Sequence, residues 1–204
     1  NLELIKKRKK NEVLKTHIGF GDPILANYMN DQYRGFIADS GEISDLISLP
    51  ETREELEAIS NYLGVDNGRN YFAEEATEKN LKSIDLSNIN LISFATHALV
   101  SGELENLNEP GLILTPPSNP TMNDDGILTA SEITKLDLSN TNFVILSACN
   151  TTAGSDSDAE ELSGLSRAFF YSGARSILAS HWPVVSEIAP LITVGIFKNL
   201  YDSD

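Results

Sequence analysis

The chain has 204 residues, 41% of them hydrophobic and 7% aromatic, which is enough apolar material for one packed domain of ordinary size. Fifteen Lys and Arg against thirty Asp and Glu give a net charge of −15, which speaks against a nucleic-acid partner, because phosphate contacts need clustered cations. A single cysteine rules out an internal disulfide and fits a reducing, cytoplasmic compartment. No stretch approaches the ~20 apolar residues of a membrane span, and no secretory leader pattern is present.

Residues 1–15 read as a charged N-terminal segment, and residues 16–204 as one domain. The segment holds the basic run Lys6-Lys7-Arg8-Lys9-Lys10 between Glu3 and Glu12, which reads as a solvated helix face or tail rather than a binding patch. His17–Pro23 is a short strand stopped by Gly and Pro, and residues 26–48 are a patternless, partly acidic loop. From Pro50 to Leu63 the spacing of Leu56, Ile59, Tyr62 and Leu63 predicts a helix, with Glu51, Glu54 and Glu55 on its positive N-terminal end. Tyr71-Phe72 is a brief strand, and Thr77 caps a helix holding Leu81. Gly111–Thr115 and Asp125–Thr129 flank a Pro- and Asn-rich segment as a β-hairpin, and residues 130–135 form a short helix.

A near-repeat organises the centre. Residues 84–97, Ile-Asp-Leu-Ser-Asn-Ile-Asn-Leu-Ile-Ser-Phe-Ala-Thr-His, return at 136–149 as Leu-Asp-Leu-Ser-Asn-Thr-Asn-Phe-Val-Ile-Leu-Ser-Ala-Cys, with five of fourteen positions identical at an offset of 52. Each copy is a polar turn followed by an apolar run of strand length. The last column pairs His97 with Cys149. Two such strands in one parallel sheet deliver an imidazole and a thiol to the same carboxyl-end edge, where open α/β sheets hold reactive groups. Beyond Cys149, Asn150–Ser155 is a polar loop. Ser157 and Glu160 then open a helix whose Leu162, Leu165, Ala168 and Phe169 share a face and which Gly173 ends. Ser176–Trp182 is a further buried strand and Ser186–Leu200 a last apolar helix. This alternation predicts an α/β fold, a mostly parallel sheet with helices on both faces. The start at Asn1 and the stop at Asp204, just past a helical pattern, read as an excised piece of a longer chain.

A free thiol, with pKa near ~8.5, is mostly protonated at neutral pH, so it needs a base within hydrogen-bond reach to act as a nucleophile. His97 is the first candidate. His17, before Gly-Phe-Gly, and His181, in Ala-Ser-His-Trp-Pro, are rivals for the role. Acyl transfer also needs donors aimed at the developing oxyanion, and the backbone N–H groups of Cys149 and Ala98 are candidates. Ala95, Ala98, Ser147 and Ala148 are small enough to admit a substrate. One Cys and three scattered His show no zinc spacing, no phosphate-binding glycine motif occurs, and no Gly-x-Ser-x-Gly elbow surrounds Ser147, so neither metal nor cofactor is expected.

With these residues in place, the chain closely resembles the CHAT domain, a branch of the caspase-like cysteine peptidases related to separase. The resemblance is carried by Phe94-Ala-Thr-His97, Gly126–Ile133, Val144-Ile-Leu-Ser-Ala-Cys-Asn-Thr151, Gly164–Phe169, Ser172–Arg175 and Trp182-Pro-Val184, in the family's order over about residues 16–200. The interval of 52 also suits the ~50 residues between His and Cys in caspases. The resemblance implies a caspase-like three-layer sandwich, a His97–Cys149 dyad, an oxyanion site made by the N–H groups of Cys149 and Ala98, and peptide-bond hydrolysis after one selected side chain. Many relatives have Gly where Ala98 stands, and Ser147 replaces the Gln that typical caspases carry two residues before Cys.

In separase-like enzymes an acidic residue shortly after Trp-x-Val pairs with a basic side chain preceding the cut. Here Val185 and Ser186 occupy that place and Glu187 follows. Ser147, Ser186, Glu187 and Asp156 are therefore the candidate substrate-binding residues, and the pocket is open between a basic and a small side chain. The expected partner is a protein or peptide substrate, without nucleic acid or membrane. A regulatory helical-repeat or sensor region is expected outside this chain, and stretches 26–48 and 150–158 are candidate activation loops. The other reading is a catalytically silent caspase-like module that binds or signals.

Overall fold

A computed structural model of the chain describes residues 16–25, 46, 48–64, 69–104, 107–147, 156–179 and 195, with side chains from 164 onward in the segment 156–179. The helices expected over 2–15 and 186–200, the loop at 150–155, most of the loop at 26–48 and the end of the strand at 176–182 lie outside the described residues.

The elements run in the order β1 (His17–Pro23), α1 (Glu51–Leu63), β2 (Arg69–Ala73), α2 (Glu78–Ser83), β3 (Leu91–Ala95), β4 (Ala98–Leu99), β5 (Gly111–Ile113), β6 (Ile127–Thr129), α3 (Ala130–Ile133), β7 (Phe143–Ser147), α4 (Asp156–Tyr171) and β8 (Ile177–Ala179). Five strands form one sheet in the order β2-β1-β3-β7-β8, and every neighbouring pair is parallel. Alternate side chains of the central strands enter two different cores. Ile92, Phe94, Val144 and Leu146 pack with Leu81, Ile133, Leu165 and Phe169 of α2, α3 and α4. Leu91, Ala95 and Ile145 pack with Leu56 and Ile59 of α1 on the other face. Because both faces are covered, the strands read as unbroken apolar runs instead of alternating ones. On the first face a row of rings, Tyr71, Phe20, Phe94 and Phe169, crosses three strands into α4 at centroid spacings of 4.7, 5.8 and 5.6 Å.

The near-repeat is a physical pair. β3 and β7 are neighbours, and their register runs Leu91 to Phe143 through Ala95 to Ser147, an offset of 52 at every position. The turns that feed them match as well. Asp85 Oδ1 accepts from Ser87 N and Asp137 Oδ1 accepts from Ser139 N, each at 3.1 Å, while Leu86 and Leu138 are both buried. The two turns also bond to each other, through Asn140 Nδ2 to Ser87 O and Thr141 Oγ1 to Ile89 O. An aspartate that bonds its own backbone two residues on stops one element and aims the next.

β4, β5 and β6 form a small antiparallel sheet. Its β5–β6 hairpin was expected. The two-residue β4 that joins them was not, because so short a piece has no period to read. Thr115 ties this sheet to the main one: its hydroxyl donates to Ala73 O and accepts from Ile24 N. At the same edge, a Cβ on Gly21 would stand 2.8 Å from Leu56 Cδ1 and 3.0 Å from Ala95 O, so glycine lets α1 lie against the ends of β1 and β3. Among the described residues no helix is long and apolar enough to cross a membrane.

Candidate active site

The parallel strands end together at one rim, formed by Gly21–Pro23 of β1, Ala73 of β2, Ala95 of β3 and Ser147 of β7. His97 follows β3 by two residues and is held from both sides. The Thr96 hydroxyl donates to Ile113 O, and Ile113 N–H donates to His97 O at 2.9 Å. His97 is 3% exposed. The bond from Ile113 to His97 makes those two the hydrogen-bonded pair of the β4–β5 ladder, so the next pair, Ala98 and Leu112, is the non-bonded one. In that geometry the Ala98 N–H turns away from β5.

Ser147 closes β7 opposite Ala95, and its hydroxyl donates to a carboxylate oxygen of Glu55. Glu55 lies on the inner face of α1 with Thr52, Leu56 and Ile59 and is only 4% exposed. Burial pushes its carboxyl above the ordinary glutamate range, and the Ser147 hydrogen bond draws it part of the way back. Sequence reasoning missed this residue by assigning Glu51, Glu54 and Glu55 together to the positive N-terminal end of the helix. The signal was present, since Glu55 precedes Ile59 by four and Tyr62 by seven, on the apolar stripe itself. Beside it, Thr52 Oγ1 accepts from Asp22 N at 2.8 Å, and Arg53 clamps the Asp22 carboxylate at 2.8 Å while its guanidinium lies 4.3 Å over the Phe72 ring. Asp22 and Ala73, both non-glycine, hold left-handed backbone at the ends of their strands, with φ of 47° and 48°. Such conformations persist only where surrounding bonds enforce them. Here those bonds are Thr52 to Asp22 N and Thr115 to Ala73 O.

The rival His17 is a core residue. It sits at the opposite, amino end of β1, paired with Leu91, and is fully buried. Nδ1 and Nε2 each lie 3.0 Å from a serine hydroxyl, those of Ser60 and Ser93. Desolvation lowers its pKa from 6.5 to about 4, which keeps it neutral. Four strand residues of about 3.3 Å each separate its level from the rim. Cys149, His181, Ser186 and Glu187 lie outside the described residues, and Asp156, which opens α4, is described in its backbone alone.

A parallel sheet covered on both faces, with a histidine segment braced at its carboxyl rim beside the strand that leads to the sole cysteine, defines an α/β protein of caspase-like type. The CHAT domain family matches residues 29–203. The chain belongs to that family, which lies within the caspase-like cysteine peptidase group. No curated protein matches the chain.

Proposed function

We propose that the chain is a cysteine endopeptidase that cleaves protein substrates through His97 and Cys149. The observation that supports this most is the β3–β7 register. His97 and Cys149 each stand two residues past a directly paired couple, Ala95 and Ser147. Chain connectivity alone keeps residue 149 within about 7 Å of Ser147. Family membership adds the chemical class.

In this reading the imidazole takes the Cys149 proton and the thiolate attacks the substrate carbonyl. The N–H groups of Cys149 and Ala98 hold the oxyanion, a contribution of roughly 3–4 kcal/mol for one such donor. Collapse of the tetrahedral species releases the amine, protonated by His97, and leaves an acyl-enzyme. Water, deprotonated by His97, then frees the acid and restores the thiol. Ser147 lies on the substrate side of the rim, with Ser186, Glu187 and Asp156 as further candidates for the groove wall.

The test is covalent capture with a peptidyl acyloxymethyl ketone. Stoichiometric labelling of Cys149 that falls at least a hundredfold in His97→Ala is the expected result. Equal labelling in both proteins leaves only an accessible thiol and favours the silent module, a reading that the 3% exposure of His97 keeps in contention.

A further inference from the structure

Thr52, Glu55 and Leu56, buried side chains in the first half of α1, each meet the end of a different strand. Thr52 Oγ1 accepts from Asp22 N in β1 at 2.8 Å and donates to Leu49 O at 2.7 Å. Leu56 packs in one core with Ala95, the last residue of β3. Glu55 accepts from the hydroxyl of Ser147, the last residue of β7, across 92 positions of sequence. These strands are neighbours in the order β1-β3-β7, and the last two lead to His97 and Cys149. The helix is seated independently of Glu55, by the Arg53–Asp22 ion pair and by the close approach at Gly21.

Burying a carboxylate costs hydration energy, so the bond it makes points to its use. An ionised acceptor holds a hydroxyl about twice as strongly as a neutral one does. Ser147 is where the paired register with β3 stops, so a bond there fixes a place that the ladder alone leaves half-held. We infer that Glu55 is a positioning residue: through Ser147 it fixes the end of β7, and with it the point from which the chain reaches Cys149, against the helix that also holds β1 and β3. Two peptide units separate Ser147 from Cys149, about 7 Å at most, and so short a tether passes a displacement of the strand end to the sulfur. A misplacement of about 1 Å costs up to about a hundredfold in rate. Glu55 itself touches neither substrate nor reacting atoms in this role. The inference rests on the peptidase reading and deepens it with a residue of α1.

The experiment labels the whole chain with the peptidyl acyloxymethyl ketone and resolves kinact from KI. It compares the parent with Glu55→Ala, Ser147→Ala, the double variant, Glu55→Gln and Ile59→Val. Glu55→Ala should lower kinact about ten- to a hundredfold with KI unchanged. Ser147→Ala should lower kinact too, and carries the test if Glu55→Ala does not fold. The double variant should be no slower than the slower single one, because both remove the same bond. Glu55→Gln, which keeps an acceptor oxygen, should recover most of the rate. Alkylation by iodoacetamide, which reads the thiolate and not the geometry of attack, should stay unchanged in all of them. Ile59→Val, one turn further along the same buried face, should lower the melting temperature and leave kinact alone. A merely structural Glu55 would behave as Ile59 does, and that result overturns the inference. So does a rise in KI at constant kinact, which makes Glu55 part of the groove, or an equal fall in the iodoacetamide rate, which makes the pair a device for thiol ionisation. The peptidase reading survives all three. If labelling of Cys149 does not depend on His97, the peptidase reading fails and takes this one with it.

Discussion

At the scale of single residues, His17 and Glu55 are two buried ionisable groups with opposite fates. His17 is satisfied on both nitrogens and has no opening to the rim, so its effect appears in stability. Its folded pKa, about 4, lies below the unfolded value of 6.5, so the unfolded chain takes up this proton first. The stability it contributes is complete above the unfolded pKa. It is lost as pH falls from about 6.5 towards 4, and the loss levels off below the folded value. The full amplitude is about 3 kcal/mol, since each factor of ten in proton affinity between the two states is worth about 1.4 kcal/mol. Urea midpoints of the parent and of His17→Gln across that window check this. The parent should lose stability relative to the variant as pH drops, and parallel curves would sink the assignment. Neither fate was legible in the sequence. A histidine before Gly-Phe-Gly suggests an edge, and a glutamate near a helix N-terminus suggests a dipole role. Burial is decided by which strand and which helix face meet, and composition does not carry that.

At the scale of elements, the repeat was legible because both of its halves are local: an Asp that bonds two residues ahead, then a run of strand length. Its offset became the register because equal turns start neighbouring strands at equal heights. Long-range polar anchors left no such trace. Burial pushes the Glu78 carboxyl up, and Lys82 draws it back. Glu78 Oε2 accepts the N–H groups of Asp125 and Gly126 at 2.7 and 2.8 Å, and its Oε1 accepts from Lys82 Nζ at 2.6 Å. Lys82 also reaches Glu132 Oε1 at 2.7 Å and Asn123 O at 2.6 Å. One cation thus pins the β5–β6 hairpin and α3 to α2. Lys82→Met leaves a buried carboxylate beside a second one, at a cost of about 3 kcal/mol in chemical denaturation. Adding Glu78→Gln should restore part of that loss, and a double variant no better than the single would show that the Lys82 stem, not its charge, carries the effect.

At the scale of the molecule, alternation of strands and helices was enough to indicate a parallel sheet with both faces covered. It did not give the strand order, in which β1 lies between β2 and β3, because crossovers of similar length permit several orders. Net charge, by contrast, was available from the first count, and it acts on encounter before any contact forms. A molecule at −15 draws cationic peptides inward over a distance set by screening, about 30 Å at 0.01 M salt and about 3 Å at 1 M. For a substrate rich in Lys and Arg, kcat/KM should therefore fall about tenfold or more across that range while kcat holds. A net-acidic peptide with the same cleavage residue should show the reverse trend. A kcat/KM for the cationic substrate that stays flat across that range would show that the surface field has no share in encounter.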